Sequence, residues 1–245
     1  MSNLRICTIE ARMNSSRLPG KVLLDFDGMS MLEIMVSRIR MVPEIGQIVI
    51  ATTINTIDDP IVLEAKRLGI QHYRGSENDV QSRVLNAALQ FGANELVALT
   101  GDCPLIDPEL IELCISTFAA NDVDYLSNAG VRSYPDGMDT QVLTTSALQR
   151  SFQMNPSDEE REHVTLHIRR NPKEFRCMYM VSPLRTRVPK LGLTLDEEAD
   201  FQLIKAILSG FKGRLDFSCA EILEYIERHP DILALNSAVK RKEVT

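Results

Sequence analysis

The chain has little with which to cross-link or anchor itself. Its five cysteines, Cys7, Cys103, Cys114, Cys177 and Cys219, are odd in number and scattered, without the paired spacing of a zinc site or redox motif. They read as reduced thiols, so a cytoplasmic location is expected. No apolar run approaches the roughly 20 residues of a membrane span. Near Met1, Arg5 and Glu10 bracket a short apolar run that does not resemble a signal peptide. A soluble protein with no membrane partner is expected. Basic excess is also missing, because the net charge is -7. Nucleic-acid surfaces must neutralise rows of phosphates, so no nucleic-acid partner is expected, although a local basic cluster can still bind a small polyanion. Internal repeats, low-complexity blocks and long linkers are absent, which favours one catalytic body over a string of binding modules.

What is present is an ordinary globular composition: 245 residues, 44% hydrophobic and 25% charged. That suffices for one large α/β domain spanning 1–245, with an excursion at 130–190 and a solvated tail at 240–245. Short β-rich runs at 4–9, 47–52, 71–73, 95–99 and 124–126 alternate with helical spacing at 30–41, 59–68, 78–91 and 108–120. This alternation predicts a mostly parallel, Rossmann-like sheet flanked by helices. Asp107 followed by Pro108 reads as an N-cap and first helical turn. Met29, Met31, Met35 and Met41 read as core filling.

After Asn128 the rhythm changes. A turn at Tyr134-Pro135-Asp136-Gly137 precedes a strand at 141–143, a polar helix at 157–169 and a strand at 175–181. These predict a smaller β/α subdomain inserted beside the sheet. The main sheet is expected to resume at 192–195, with helices at 197–208 and 219–228 after it.

The segment following the first strand is Ala11-Arg12-Met13-Asn14-Ser15-Ser16-Arg17-Leu18-Pro19-Gly20-Lys21, with three cations and two adjacent hydroxyls. Loops at the carboxyl ends of the strands line the ligand crevice of an open α/β sheet, so Arg12, Arg17 and Lys21 should converge there on phosphate. It is not the common P-loop. Ser15 stands where the first glycine would be, and Val22 replaces the Ser or Thr that would hold a metal.

This segment resembles nucleotidyltransferases that activate surface sugars with CTP, particularly SpsF-type polysaccharide cytidylyltransferases and the related CMP-Kdo and CMP-sialic acid synthetases. The resemblance runs over about 5–205. It includes Gly75-Ser76-Glu77-Asn78-Asp79-Val80, Gly101-Asp102-Cys103-Pro104-Leu105, Pro135-Asp136-Gly137 and Arg161-Glu162-His163-Val164-Thr165. It implies a nucleotidyltransferase sheet, CTP as nucleotide and transfer of CMP to an acidic sugar with release of pyrophosphate. The nucleotide-binding residues it implies are Ala11, Arg12, Met13, Ser15, Ser16, Arg17, Gly20, Lys21, Gly75, Ser76, Asp79, Arg83, Thr100 and Asp102. Arg12, Lys21 and Asp102 would be catalytic.

Mg²⁺ typically takes one or two protein carboxylates together with phosphate oxygens and water. Asp102 and Asp196, each after an apolar run, are the expected pair, although either could instead cap a turn or helix. No general base stands out. Asp136, Asp139 and Gln141 resemble the family's DGxDxE strand and, with Arg161, Glu162 and His163, would meet the acceptor. Gln141 departs from the glutamate of that pattern, and Leu166 and His167 replace its Pro-Tyr. His163 and His167 are spaced i, i+4 but lack an HExxH setting, so zinc is not expected. Arg83 also fits a plain helix-surface role.

A homodimer through 130–190 is a further implication. Alternatives are nucleotidyl transfer to a sugar phosphate or phosphonate, a glycosyltransferase using Asp122-Val123-Asp124, or a nucleotide-binding regulatory protein.

Overall fold

The computed structural model describes residues 4–241. β1 (Arg5–Glu10) leads through the basic loop to a small hairpin of β2 (Asp25–Phe26) and β3 (Met29–Ser30), then to α1 (Met31–Ile39). β4 (Gln47–Thr53), α2 (Asp59–Arg67), β5 (Gln71–Gly75), α3 (Val80–Gln90) and β6 (Glu95–Thr100) complete the parallel half. α4 (Pro108–Ala119), β7 (Tyr125–Ser127), β8 (Gln141–Thr144), α5 (Thr145–Gln153), α6 (Asp158–Glu162), α7 (Leu166–Arg170) and β9 (Cys177–Tyr179) follow. α8 (Glu198–Gly210), α9 (Cys219–Arg228) and a 3₁₀ helix (Pro230–Leu235) come last among the described residues.

The seven-stranded sheet has the order β5-β4-β1-β6-β8-β7-β9, with β8 antiparallel to both neighbours. The mostly parallel α/β class is as expected. The excursion after Asn128 adds its strands to the main sheet's β6 edge instead of forming a sheet of its own. From β1 the chain builds outward to β4 and β5, then returns to place β6 on β1's other side. The carboxyl ends of β1 and β6 therefore flank a topological switch point, where an open α/β sheet leaves a crevice.

Both sheet faces are covered, as a parallel sheet requires. Alternate residues go to opposite cores: Cys7, Ile9, Ile48, Ile50, Val97 and Leu99 to one, Ile6, Val49, Ala51, Leu96 and Ala98 to the other. Met31 and Met35 are fully buried, whereas Met41 is exposed. Asp107 caps α4 through Glu109 N–H, and its other oxygen accepts from Cys219 N–H at 2.7 Å, fixing the start of α9.

Three expectations are corrected. The helix expected at 157–169 is two short helices. α6 stops at Glu162 because Val164 takes a left-handed φ of 34° and buries its side chain in the core. Gln81 Nε2 donates to the Val164 carbonyl at 3.1 Å and holds this break, a conformation β-branched residues adopt only under packing constraint. No strand forms at 192–195, where one isolated bridge joins Gly192 to Asp136. That segment's backbone bonds go to loops: Leu193 N–H donates to the Asp136 carbonyl, and Leu195 N–H to the Asp102 carbonyl, both at 2.8 Å. The tail is docked where it is described. Arg241 donates to Asp200 Oδ1 at 2.6 Å and to Thr194 Oγ1 at 2.8 Å, while 242–245 lie outside the described residues. No helix among the described residues is long and apolar enough to cross a membrane.

Candidate active site

The basic loop folds back on itself. The Met13 carbonyl accepts from Ser15 N–H at 2.9 Å and Gly20 N–H at 2.8 Å, so the two ends of the loop meet. Gly20 has φ 73°, which a side chain would strain, and starts the 3₁₀ turn Lys21–Leu23. Met13 N–H donates at 2.7 Å to Asp58, a buried carboxylate whose other oxygen accepts from the Thr53 hydroxyl. Asp58 thereby ties the loop to the end of β4.

Across the crevice, β6 ends at Thr100. Gly101 N–H donates to the Glu10 carbonyl at 2.8 Å, and a Cβ on Gly101 would come within 2.9 Å of that carbonyl. Glycine is required where the two backbones approach this closely. The next residue, Asp102, faces Lys21: Nζ lies 3.0 Å from Asp102 Oδ2 and 3.0 Å from Asp196 Oδ1. Arg17 adds a contact of 3.0 Å to Asp196 Oδ1. Asp196 does not cap α8. Glu197 is the N-cap, and Asp200 inside the helix accepts from its N–H at 2.9 Å, which leaves the Asp196 carboxylate to the cations and the Thr194 hydroxyl.

Burial works against the Lys21 charge, but the two carboxylates outweigh it and raise its pKa. Burial likewise pushes Asp196 up, and Lys21 and Arg17 together bring it below the usual carboxylate range. Burial raises Asp136 and Asp139, against the opposing pull of Arg132, whose Nη1 lies 3.5 Å from Asp136 and 3.0 Å from Asp139.

A cavity of about 1100 Å³ spans this region. Its walls include Ala11, Arg12, Ser15, Ser16, Arg17, Lys21, Ser76, Asp79, Arg83, Thr100, Asp102, Arg161, Glu162, His163 and Asp196, all anticipated from sequence. Met13, Gly20 and Gly75, also anticipated, are not among its lining residues. Asp136, Asp139 and Gln141 lie off it; Gln141 Oε1 accepts from the Tyr125 hydroxyl at 2.8 Å. The three loop cations line one cavity but divide between two places. Arg17 and Lys21 meet at Asp196, whereas Arg12 lies 3.6 Å from Glu77.

Asp79 caps α3 through Ser82 N–H and accepts from Arg161 Nη1 at 2.7 Å, joining α6 to the far wall. Arg83 is 3% exposed, so the helix-surface reading is excluded, and it donates to the carbonyls of Ser76 and Glu77. Sequence reasoning passed over Glu10, Asp58, Glu77 and Asn78. Glu10 had a signal, since it is the last residue of a strand at the switch point. Asp122 and Asp124 pair with Arg176, and Asp124 also with Arg150, binding the β7 edge. No group of three or more His, Cys, Asp or Glu side chains able to hold a metal occurs among the described residues.

Known proteins resemble this chain in sequence and fold. Residues 6–228 match the cytidylyltransferase family profile. The spore coat polysaccharide biosynthesis protein SpsF of Bacillus subtilis is 33% identical over 230 residues, covering 91% of this chain and 94% of that protein. A 3-deoxy-manno-octulosonate cytidylyltransferase of Chlorobium limicola is 32% identical over 119 residues, covering 47% of this chain and 46% of that enzyme. The structure of a cytidylyltransferase from Leptospira borgpetersenii superposes with a TM-score of 0.89 at 31% identity, covering 98% of each chain. The chain thus belongs to the cytidylyltransferase family, whose members are CTP-dependent nucleotidyltransferases.

Proposed function

We propose that the enzyme transfers CMP from CTP to a hydroxyl of an acidic sugar, a 3-deoxy-ulosonic or nonulosonic acid, releasing pyrophosphate in surface polysaccharide or glycoconjugate biosynthesis. The observation that carries the chemistry is the Lys21 ammonium 3.0 Å from both Asp102 and Asp196, beside a cationic loop at the switch point. The similarity to 3-deoxy-manno-octulosonate cytidylyltransferases supports the acceptor class, and that to SpsF supports the polysaccharide role.

In this reading the triphosphate lies along the loop 11–21 and the base along 75–83. Two carboxylate oxygens meeting at one cation match the protein share of a Mg²⁺ site, so Asp102 and Asp196 would hold that ion. When bound, Mg²⁺ supplies charge neutralisation at the triphosphate. Lys21, Arg12 and Arg17 are the chain's own cations for phosphate oxygens. Held by the closed Met13 hub, the loop offers them with little reorganisation. The acceptor hydroxyl forms its bond to the α-phosphorus as the bond to the bridging oxygen of pyrophosphate breaks, and positioning supplies much of the rate.

The acceptor sits between α6, with Arg161, Glu162 and His163 on the cavity wall, and the turn bearing Asp136 and Asp139. A homodimer through 130–190 accounts for the exposed apolar side chains Val131, Tyr179, Val181, Leu184 and Val188 on that stretch.

Pyrophosphate release from CTP with Mg²⁺ and a panel of acidic sugars tests the reading. Asp102→Asn should lower kcat by about 10²- to 10³-fold, with a far smaller change in CTP affinity. An unchanged kcat would remove Asp102 from the chemistry. A product mass showing a phosphate or phosphonate acceptor would replace the acceptor class.

A further inference from the structure

Glu10 ends β1 and lines the cavity, half-buried, yet its carboxylate makes no hydrogen bond or ion pair among the described residues. A carboxyl group so placed ordinarily has a partner, because leaving it without one is costly. Burial pushes it up to about 7, opposed by Arg83 and reinforced by Asp102. The site holds an acceptor that nothing in the chain satisfies.

Arg83 lines the same cavity. Arg83 is 3% exposed and its Nη1 is engaged by the Ser76 and Glu77 carbonyls, but its Nε is buried with no partner. Gly75 makes room for it, since a Cβ there would meet Arg83 Cγ at 3.0 Å. Glu10 is the strongest charge acting on Arg83, yet the two do not form an ion pair within 4.0 Å. An unpartnered carboxylate and a guanidinium thus line one cavity without pairing with each other among the described residues.

Cytosine presents an exocyclic amino donor next to ring acceptors, whereas uracil presents a carbonyl acceptor where that amino group would be. We propose that Glu10 is a specificity-determining residue that selects cytosine over uracil, its carboxylate accepting from the exocyclic amino group while Arg83 donates to the adjacent ring acceptors. The uracil carbonyl would face the carboxylate and be repelled. The inference rests on the placement of the base along 75–83.

The test is pyrophosphate release with CTP and with UTP, together with calorimetric binding of each nucleotide, for wild type, Glu10→Gln, Glu10→Ala and Arg83→Lys. Glu10→Gln keeps the side-chain shape and offers an amide N–H to the uracil carbonyl. Its CTP:UTP ratio of kcat/KM should fall about tenfold or more, the scale of one good base-edge contact, with UTP binding strengthened. Glu10→Ala should lower the ratio by weakening CTP. An unchanged ratio in both Glu10 variants overturns the proposal. If Arg83→Lys then weakens both nucleotides, the base placement stands and only Glu10's role fails. If Arg83→Lys also binds both as wild type does, the base lies elsewhere and the placement itself fails.

Discussion

Replacing Lys21 by Met keeps the side chain's length and removes its charge. Nζ lies 3.0 Å from one oxygen each of Asp102 and Asp196, so these oxygens are within twice that distance of one another. The two carboxylates are 26% and 18% exposed, which limits solvent screening. Two unit charges about 5 Å apart repel by about 3 kcal/mol at an effective dielectric of ~20. In the wild type, the lowered Asp196 pKa contributes stability above the ordinary aspartate value of 3.8, and that contribution is lost as pH falls through the folded pKa. In Lys21→Met the contribution shrinks, because Arg17 is left to hold Asp196 against a neighbouring carboxylate, and the difference from wild type fades as pH falls through the ordinary aspartate value. The Tm difference between wild type and variant, followed by thermal denaturation from pH 3.5 to 8, should therefore widen as pH rises. Loss of one preorganised cation should also lower kcat/KM for CTP by about 10²- to 10³-fold. Equal Tm values at pH 8 together with kcat/KM within threefold of wild type would refute the reasoning.

Arg38 is fully buried and donates to the backbone carbonyls of Leu105, Ile106, Leu215 and Phe217. Arg38→Met strands those acceptors and should cost about 3 kcal/mol or more, read as a lower urea midpoint with unchanged slope. Gly137 has φ 99°, and a Cβ there would lie 2.8 Å from the Leu193 carbonyl carbon. Gly137→Ala should shift the Asp136 turn, raising the acceptor KM severalfold while leaving the CTP KM near wild type, as steady-state kinetics would show. Leu184 is 84% exposed, and Leu184→Glu should convert the proposed dimer to a monomer by light scattering, whereas a wild-type monomer would contradict the proposed interface.

The parallel half of the fold was legible because its strands are short apolar runs with clear turn signals, and β1, β4, β5 and β6 begin within a residue of expectation. Asp107-Pro108 announced its helix for the same local reason. Tertiary packing decided the rest. Nothing local in Glu162-His163-Val164-Thr165 interrupts a helix; burial of Val164 and the Gln81 bond do. The apolar run Leu191-Gly192-Leu193-Thr194-Leu195 looks like a strand, but its partners are the 136 turn and the Asp102 loop.

In the site, sequence pattern marked the cationic loop by its place after the first strand and both aspartates by their places after apolar runs. It could not show that Lys21 joins carboxylates 81 and 175 residues away. Asp58 and Glu10 were passed over because their significance lies in which neighbours they have, or lack, across the crevice. Gln141 looked like an acceptor ligand by pattern, and its side chain is instead engaged by Tyr125.

The central claim is transfer of a CMP group to an acidic sugar. Its most direct test is mass spectrometry of the products formed from CTP, Mg²⁺ and 3-deoxy-ulosonic or nonulosonic acids, with pyrophosphate measured in the same reaction. The account predicts a CMP-linked sugar and pyrophosphate in equal amounts, both lost in Asp102→Asn. Absence of pyrophosphate with every acidic sugar tested, or a nucleotide product bridged through a phosphate or phosphonate of the acceptor, would contradict it.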